Sequence, residues 1–449
     1  MIKKFSRNPY LLFSPFLFYY AYVIIKNKWP TLYGDEVRYM DFATHITHGF
    51  YSPPAPHINL WNGPGYPLIL APFAALHIRD IYPTLLNALF MYLAVVFLYK
   101  AVKLVSNYKI ALAAGLLLAV YPNALSMLPI LYTEAFTYFL VASLVYSVVL
   151  YYTRYKGTYI IIAGVLLGFL TLTKIIFGYV LIISLVACLL ALLFKKSKTY
   201  YLKPVKILLI AFVVTLPYLA YTYHITGKVF YWGNSGGMSL YWMSTPYEQE
   251  YGDWKVPDLT NNQYPTLYKS AETVKLLKKN HSKELGFILW HNEIDQDALF
   301  KQKAIDNIEK HPLKFARNYF YNVSRMLFNF PYSYSYQDAA IVENIITGSL
   351  ILWASVIGMI VTWLNWRRIT FSIKFLLLIT GVYLLLSGAL SAYPRQLDVV
   401  MPVLLFWVAY LVSNIKTISL KFPAKENLDD IDLADLAGIG VNTKESVEL

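Results

Sequence analysis

Ten stretches of nearly unbroken apolar residues punctuate the chain, at 8–25, 81–102, 110–127, 129–151, 159–172, 175–194, 205–223, 341–363, 371–390 and 398–415. Most approach the ~20 residues an α-helix needs to cross a bilayer. The pattern predicts an all-α membrane protein of about ten transmembrane helices. The pair 159–172 and 175–194 reads either as two helices or as one long broken one, and the choice sets the parity of everything after it. Between the apolar stretches lie two longer polar segments, Lys26–Asp80 and His224–Ala340. The chain therefore divides into an N-terminal transmembrane module at 1–223 containing a first loop at 26–80, a loop region at 224–340, C-terminal helices at 341–415 and a tail at 416–449. Within the loop region a helix from Ile294 to about Leu327 is predicted, interrupted near His311-Pro312, because proline breaks the ladder there.

Charge gives the prediction its sides. Lys3, Lys4 and Arg7 precede the first stretch, and Lys100, Lys103 and Lys109 follow the second. Arg154 and Lys156 follow the fourth, and Lys195, Lys196, Lys198, Lys203 and Lys206 follow the sixth. Arg367, Arg368 and Lys374 follow the eighth, and Lys416, Lys421 and Lys425 follow the tenth. With ten spans all of these fall on one side, which the positive-inside rule makes cytoplasmic. Both long loops then face outward, the tail at 416–449 is cytoplasmic, and the protein is expected in the plasma or inner membrane as a multi-pass chain. The apolar stretch after Arg7 has no small-residue cleavage site before Lys26, so it is read as an uncleaved first helix.

Composition agrees. Hydrophobic residues make up 57% of the 449 and charged residues 14%, against roughly 25% charged in soluble domains. The 40 tyrosines suit interfacial belts. The net charge of +13 does not indicate nucleic acid, because the basic residues punctuate apolar runs instead of gathering on one domain. Cys188 is the single cysteine, so no intrachain disulfide forms.

Candidate chemistry lies at the outer ends of the spans. Gly34-Asp35-Glu36, followed by Arg38 and Tyr39, opens a short helix that runs to about His48 and is closed by Gly49. Two adjacent carboxylates there can serve as a general base and its orienting partner. The plain structural alternative makes Asp35 an N-cap and Glu36 a first-turn carboxylate favoured by the helix dipole. Trp61-Asn62-Gly63-Pro64-Gly65-Tyr66-Pro67 predicts a turn at the membrane surface, and Leu68–Leu76 a helix lying in the interface. Glu134 is ionisable within an apolar run and calls for a polar cavity. Lys174 sits at the junction 172–175, as a snorkelling lysine or as a ligand-binding cation. Arg395 lies in the short loop 392–396, and its planar fork suits a phosphate. Together, Asp35, Glu36, Glu134, Lys174 and Arg395 share one face at one depth, which suits an anionic, partly lipidic ligand. His45, His48 and His57 share the first loop with Glu36, but no metal-ligand signature is present. No cofactor is expected: a divalent metal is not indicated, and the chain has no Walker loop, Rossmann glycine pattern, Gly-x-Ser-x-Gly or zincin motif.

In this order, the motifs resemble those of the GT-C superfamily of membrane glycosyltransferases, and within it the branch of protein O-mannosyltransferases and the lipid A aminoarabinose transferase. The acidic pair is Asp35-Glu36 with Tyr39, and the turn before an interfacial helix is Asn62 to Pro67. The acid after a proline-bearing turn is Glu134 after Tyr121-Pro122, and the basic residue closing a small-residue helix is Lys174. A helix with an internal His-Pro is 304–312, and the arginine before a proline-bearing last span is Arg395 before Met401-Pro402. Two motifs differ, with Asn-Gly-Pro-Gly where His/Lys-Pro-Pro is usual and Arg395-Gln396 where Arg-Tyr is common.

The resemblance implies a GT-C-type multi-span helical bundle using a polyprenyl-phosphate sugar as donor. The acceptor is a hydroxyl of a lipid, a glycan or a protein, and transfer proceeds with inversion on the extracytoplasmic face. It makes Asp35 the base, with Glu36 orienting the acceptor or sharing the task. Arg395 and Lys174 then hold the donor phosphate, and Glu134, Tyr39, His57 and Asn62 contact substrate. Membrane lipids are the remaining expected partners. A secondary transporter or flippase for a lipid-linked or anionic substrate is the alternative, but transporters usually carry internal repeats and midplane sites, which are not evident here.

Overall fold

The computed structural model describes residues 8–154, 156–194, 198–256, 271–334 and 341–415. The tail at 416–449 and the flanking basic residues Lys3, Lys4, Arg7, Lys195, Lys196, Lys416, Lys421 and Lys425 lie outside the described residues. Among those described there are eighteen α-helices, one 3-10 turn and no strand. The first half is built on the apolar helices α1 (Pro9–Asn27), α4 (Ile81–Val105), α5 (Tyr108–Ala119), α7 (Glu134–Arg154), α8 (Gly157–Thr173), α9 (Ile176–Phe194) and α10 (Lys198–Thr226). Interspersed are α2 (Asp35–Thr47), α3 (Gly65–Ala75) and the short α6 (Pro122–Met127). The loop region holds α11 (Gly236–Met243), α12 (Ala271–Ile288), α13 (Glu293–Lys310) and α14 (Pro312–Phe328). The chain closes with α15 (Ile341–Leu364), α16 (Phe371–Gly388), α17 (Pro394–Asp398) and α18 (Met401–Asn414).

Seven of these helices are long and apolar enough to cross a membrane, within α1, α4, α7, α9, α10, α15 and α16. The shorter apolar helices are α3, α5, α8 and α18. The stretch 110–127 is divided, because Pro122 forces Tyr121 into an extended conformation and restarts the chain as α6. Buried faces concentrate on α4 and α7, whose Ala94, Val95, Val145 and Val148 are sealed from solvent. By contrast α15 leaves Ile346, Leu350, Trp353 and Trp363 exposed, as a lipid-facing helix would.

The stretch 159–194 forms two helices, separated where Lys174 turns extended. Their directions follow from packing. A Cβ on Gly164 would strike Ile210 and one on Gly168 would strike Val214, so α8 and α10 advance together and run parallel. The intervening α9 must carry the chain back between two parallel helices, so it runs opposite to both. The end of α8 and the start of α9 thus share one end of the bundle.

The predicted helix 294–327 is likewise two, α13 and α14, hinged at His311-Pro312. The Asn292 side chain starts α13 by accepting from the Ile294 and Asp295 amides, both at 3.1 Å.

Candidate active site

The end of α1, the starts of α2, α3 and α7, the break between α8 and α9, and α17 converge at one end of the bundle. Gly34 is the N-cap of α2, with φ +60, a conformation glycine adopts at no steric cost. Asp35 is therefore the first helical residue and caps nothing, which corrects the cap alternative for it. Its carboxylate is free to pair outward. One oxygen bonds Arg38 a turn along the helix, and the other receives Arg395 Nη1 at 3.2 Å, from 360 residues away. Arg38 also lies over the Trp61 ring at 4.8 Å. Burial pushes the Asp35 carboxyl up, but the guanidiniums of Arg395 and Arg38 outweigh it and hold it below the usual carboxylate range. Burial works against the charge on Arg395, while Asp35 and then Glu134 oppose that and raise its pKa. The Arg395 side chain remains 40% exposed.

Glu36 turns the other way. It is buried and accepts from the Lys28 ammonium, the Tyr33 amide at 3.1 Å and the Leu131 amide at 2.7 Å. These bonds staple the end of α1, the start of α2 and the turn before α7.

Glu134 opens α7, buried, and Lys174 Nζ reaches its Oε1 at 3.0 Å. The second ion pair thus joins α7 to the end of α8. Tyr39 lies between the polar groups and the core: its hydroxyl accepts from Asn62 Nδ2 at 3.2 Å and its ring meets Tyr66 edge-on at 5.4 Å. The Asn62–Gly65 turn presses on the end of α8 so closely that a Cβ on Gly63 would sit 1.9 Å from the Leu172 carbonyl. That contact explains Gly-Pro-Gly here. In α17 the Gln396 side chain accepts from the Tyr393 amide at 2.8 Å, closing the turn that carries Arg395. The ring of Tyr132 lies 6.0 Å from the Arg395 guanidinium.

His57 is not brought into the cluster. It is exposed, with Nδ1 3.7 Å from Glu293 in the loop region. His45 and His48 are taken up by the carbonyls of Tyr51 and Thr44. No group of three or more His, Cys, Asp or Glu among the described residues is placed to hold a metal ion. Two members of the neighbourhood were not anticipated. Arg38 stands three residues after Asp35, a spacing that puts both on one helix face. Asp398 is buried beside the cluster and accepts from the Tyr121 hydroxyl at 2.9 Å; an acid on the edge of an apolar run was its signal.

Residues 62–221 match the dolichyl-phosphate-mannose-protein mannosyltransferase family. No curated protein matches the sequence. Among solved structures, the chain is similar to the oligosaccharyltransferase AglB of Archaeoglobus fulgidus, at 14% identity and TM-score 0.48, over 89% of this chain and 50% of that one. An apo structure of the Archaeoglobus fulgidus enzyme gives 14% identity and TM-score 0.49 with the same coverage. ArnT of Cupriavidus metallidurans, bound to undecaprenyl phosphate, aligns at 11% identity and TM-score 0.41, over 89% of this chain and 77% of that one. The chain spans about half the length of the archaeal enzyme.

Proposed function

We propose that this chain, a member of the GT-C superfamily by its match over 62–221, is a membrane glycosyltransferase using a polyprenyl-phosphate sugar. The observation that carries the reading is the Asp35–Arg395 pair beside the Glu134–Lys174 pair. A carboxylate, two cations and an apolar surround meet at one end of a helical bundle, as a lipid phosphate leaving a sugar requires.

In this reading the donor phosphate lies against Arg395 and Lys174. The acceptor hydroxyl attacks the anomeric carbon from the opposite face, so configuration inverts. The new C–O bond forms as the bond to phosphate breaks. The hydroxyl proton passes to Asp35, and the bond's electron pair leaves with the lipid phosphate. Glycosyl transfer of this kind builds positive charge on the sugar ring, and two fixed cations stabilise the departing anion. Arg395 has a double part. While it holds Asp35 it keeps that carboxylate a weak base; a phosphate that draws Arg395 away leaves Asp35 a stronger one. Glu36, with its oxygens already engaged, positions Asp35 and takes no proton. Glu134 holds Lys174 in place, and Asn62 and Tyr39 form the wall nearest the sugar. His57, on the rim by the loop region, is available only to an acceptor. The site faces the extracytoplasmic side, and no cofactor takes part.

The test is the purified protein in lipid nanodiscs, incubated with a panel of polyprenyl-phosphate sugars and candidate acceptors. Mass spectrometry should detect free lipid phosphate with wild type, released at least about 10²-fold more slowly by Asp35→Asn. A protein that moves a lipid-linked substrate between leaflets equally well in both forms, releasing no lipid phosphate, would be a flippase instead.

A further inference from the structure

Helix α14 is inside out. At about 100° per residue, Lys314, Asn318, Asn322 and Arg325 fall on one face and Leu313, Ala316 and Phe320 on the opposite one. An amphipathic helix on a soluble body buries its apolar face. Here the four polar residues are buried, joined only by Met326 at the edge of their face, with Asn318, Asn322 and Arg325 at 0% exposure, while Leu313 is 84% and Phe320 71% exposed.

The polar face is fully employed. Lys314 Nζ donates to the Glu250 carbonyl and Asn318 Nδ2 to the Met243 carbonyl. Asn322 Nδ2 holds the carbonyls of Gly388 and Leu390, and Arg325 holds those of Pro331, Tyr251 and Ala392. So the inner face ties the loop region to the segment 388–392 that leads into Arg395.

The outer face continues a lipid-facing surface. The Tyr319 hydroxyl reaches the Leu385 carbonyl in the last turn of α16, at 3.3 Å, and Leu385 itself is 64% exposed on that span. At its other end α14 meets α15 so closely that a Cβ on Gly348 would lie 2.2 Å from the Leu327 carbonyl. Phe320, next to Tyr319, is therefore level with the end of the apolar helix α16. Arg317 lies at the edge of the apolar face, paired with Glu248 at 2.9 Å, a headgroup-level arrangement.

We infer that α14 is seated in the lipid of the membrane leaflet on the loop-region side, with Leu313, Ala316 and Phe320 among acyl chains and its polar face holding the Arg395 segment. Exposure to water would leave the only strongly apolar face of the helix unpaid; a bilayer resolves it with no rearrangement. The inference needs only a membrane protein and stands apart from the sugar-transfer reading.

Nitroxide scanning tests it. Single cysteines replace Leu313, Ala316 and Phe320 in a Cys188→Ala background, in full-length protein in nanodiscs. Leu385→Cys serves as the lipid reference and Lys279→Cys, exposed on α12, as the aqueous one. The relaxation ratio for oxygen against a water-soluble nickel chelate should match the Leu385 site at Phe320 and shift toward it at Ala316 and Leu313. A ratio matching Lys279 at all three positions overturns the proposal. Labels shielded from both reagents overturn it too, showing that protein, such as a second copy of the chain, covers the face. Catalytic activity is not the readout, so failure of the glycosyltransferase assignment leaves this result intact.

Discussion

Asp35 stands between two arginines, and its neighbours decide how the site answers to pH. With its pKa held below the usual range, the carboxylate stays ionised throughout neutral and mildly acidic conditions. Asp35→Asn preserves shape and removes the base, so the turnover of lipid-linked sugar should fall by about 10²–10⁴-fold while expression and donor binding persist. Arg395→Gln should lower turnover by about 10²–10³-fold, since one fixed charge facing the leaving group is lost. It should also move the acid limb of kcat/KM to higher pH, because a cation that depressed Asp35 is gone. An acid limb that stays in place in Arg395→Gln would show that Asp35 is not the titrating base. That positions 35 and 395 share one face was expected from counting ten apolar stretches; that Arg395 pairs directly with Asp35 was not. The opposite orientations of Asp35 and Glu36 were not. Adjacent residues on a helix point about 100° apart, and which one faces the core depends on the Leu131 amide, brought close only by tertiary packing.

The turn 62–65 and the break at Lys174 are one mechanical unit. Because backbone meets backbone at Gly63, Gly63→Ala forces the end of α8 and its Lys174 away from Glu134. Overpacking of this kind costs about 1–3 kcal/mol. The variant should lose both melting temperature, measured by fluorescence in detergent, and activity, although Gly63 has no side chain to touch a substrate. The loop region makes a separate prediction. Burial raises the Asp253 carboxyl, but Lys255, Arg325 and the Ser333 hydrogen bonds prevail and bring it from the ordinary 3.8 to about 2. A carboxyl depressed on folding stabilises above its unfolded pKa, and that stability is lost as pH falls through the folded one. Asp253 should therefore contribute about 2 kcal/mol at neutral pH and progressively less between about pH 4 and pH 2. Thermal unfolding of Asp253→Asn should differ from wild type at pH 7 and converge with it near pH 2. The helix start near Ile294 and the boundaries at His311-Pro312 and Gly49 were readable because caps and breakers act locally, while the Asn292 cap itself was not named from the sequence. The helix Ala271–Ile288 was not singled out, although Leu277, His281, Leu285 and Ile288 mark one buried face at helical spacing. Its many lysines masked that stripe.

Parity ties the local observations to a side of the membrane. The break at Lys174 returns α9 against α8, and this turn puts the ends of α8, α16 and α1 at the same end of the bundle as the loop region. Sequence charge assigns that end to the outside. A single cysteine at Lys279 on α12 should then react with an impermeant maleimide added to intact cells, in a Cys188→Ala background. A cysteine at Arg367, exposed beyond the far end of α15, should react only after the membrane is opened. The reverse pattern would put Asp35 and Arg395 in the cytoplasm, where a lipid-linked donor would have to be presented from the other leaflet, and the extracytoplasmic reading would fall while the ion-paired site stayed as it is. Labelling of both cysteines from outside would mean that an even number of crossings separates positions 279 and 367, so that α15 does not span the membrane. The count of apolar stretches could not decide this by itself, since α5, α8 and α18 are short for a bilayer; the glycines packed against Ile210 and Val214 set α8 and α10 parallel, with α9 returning between them, and the labelling decides the sides.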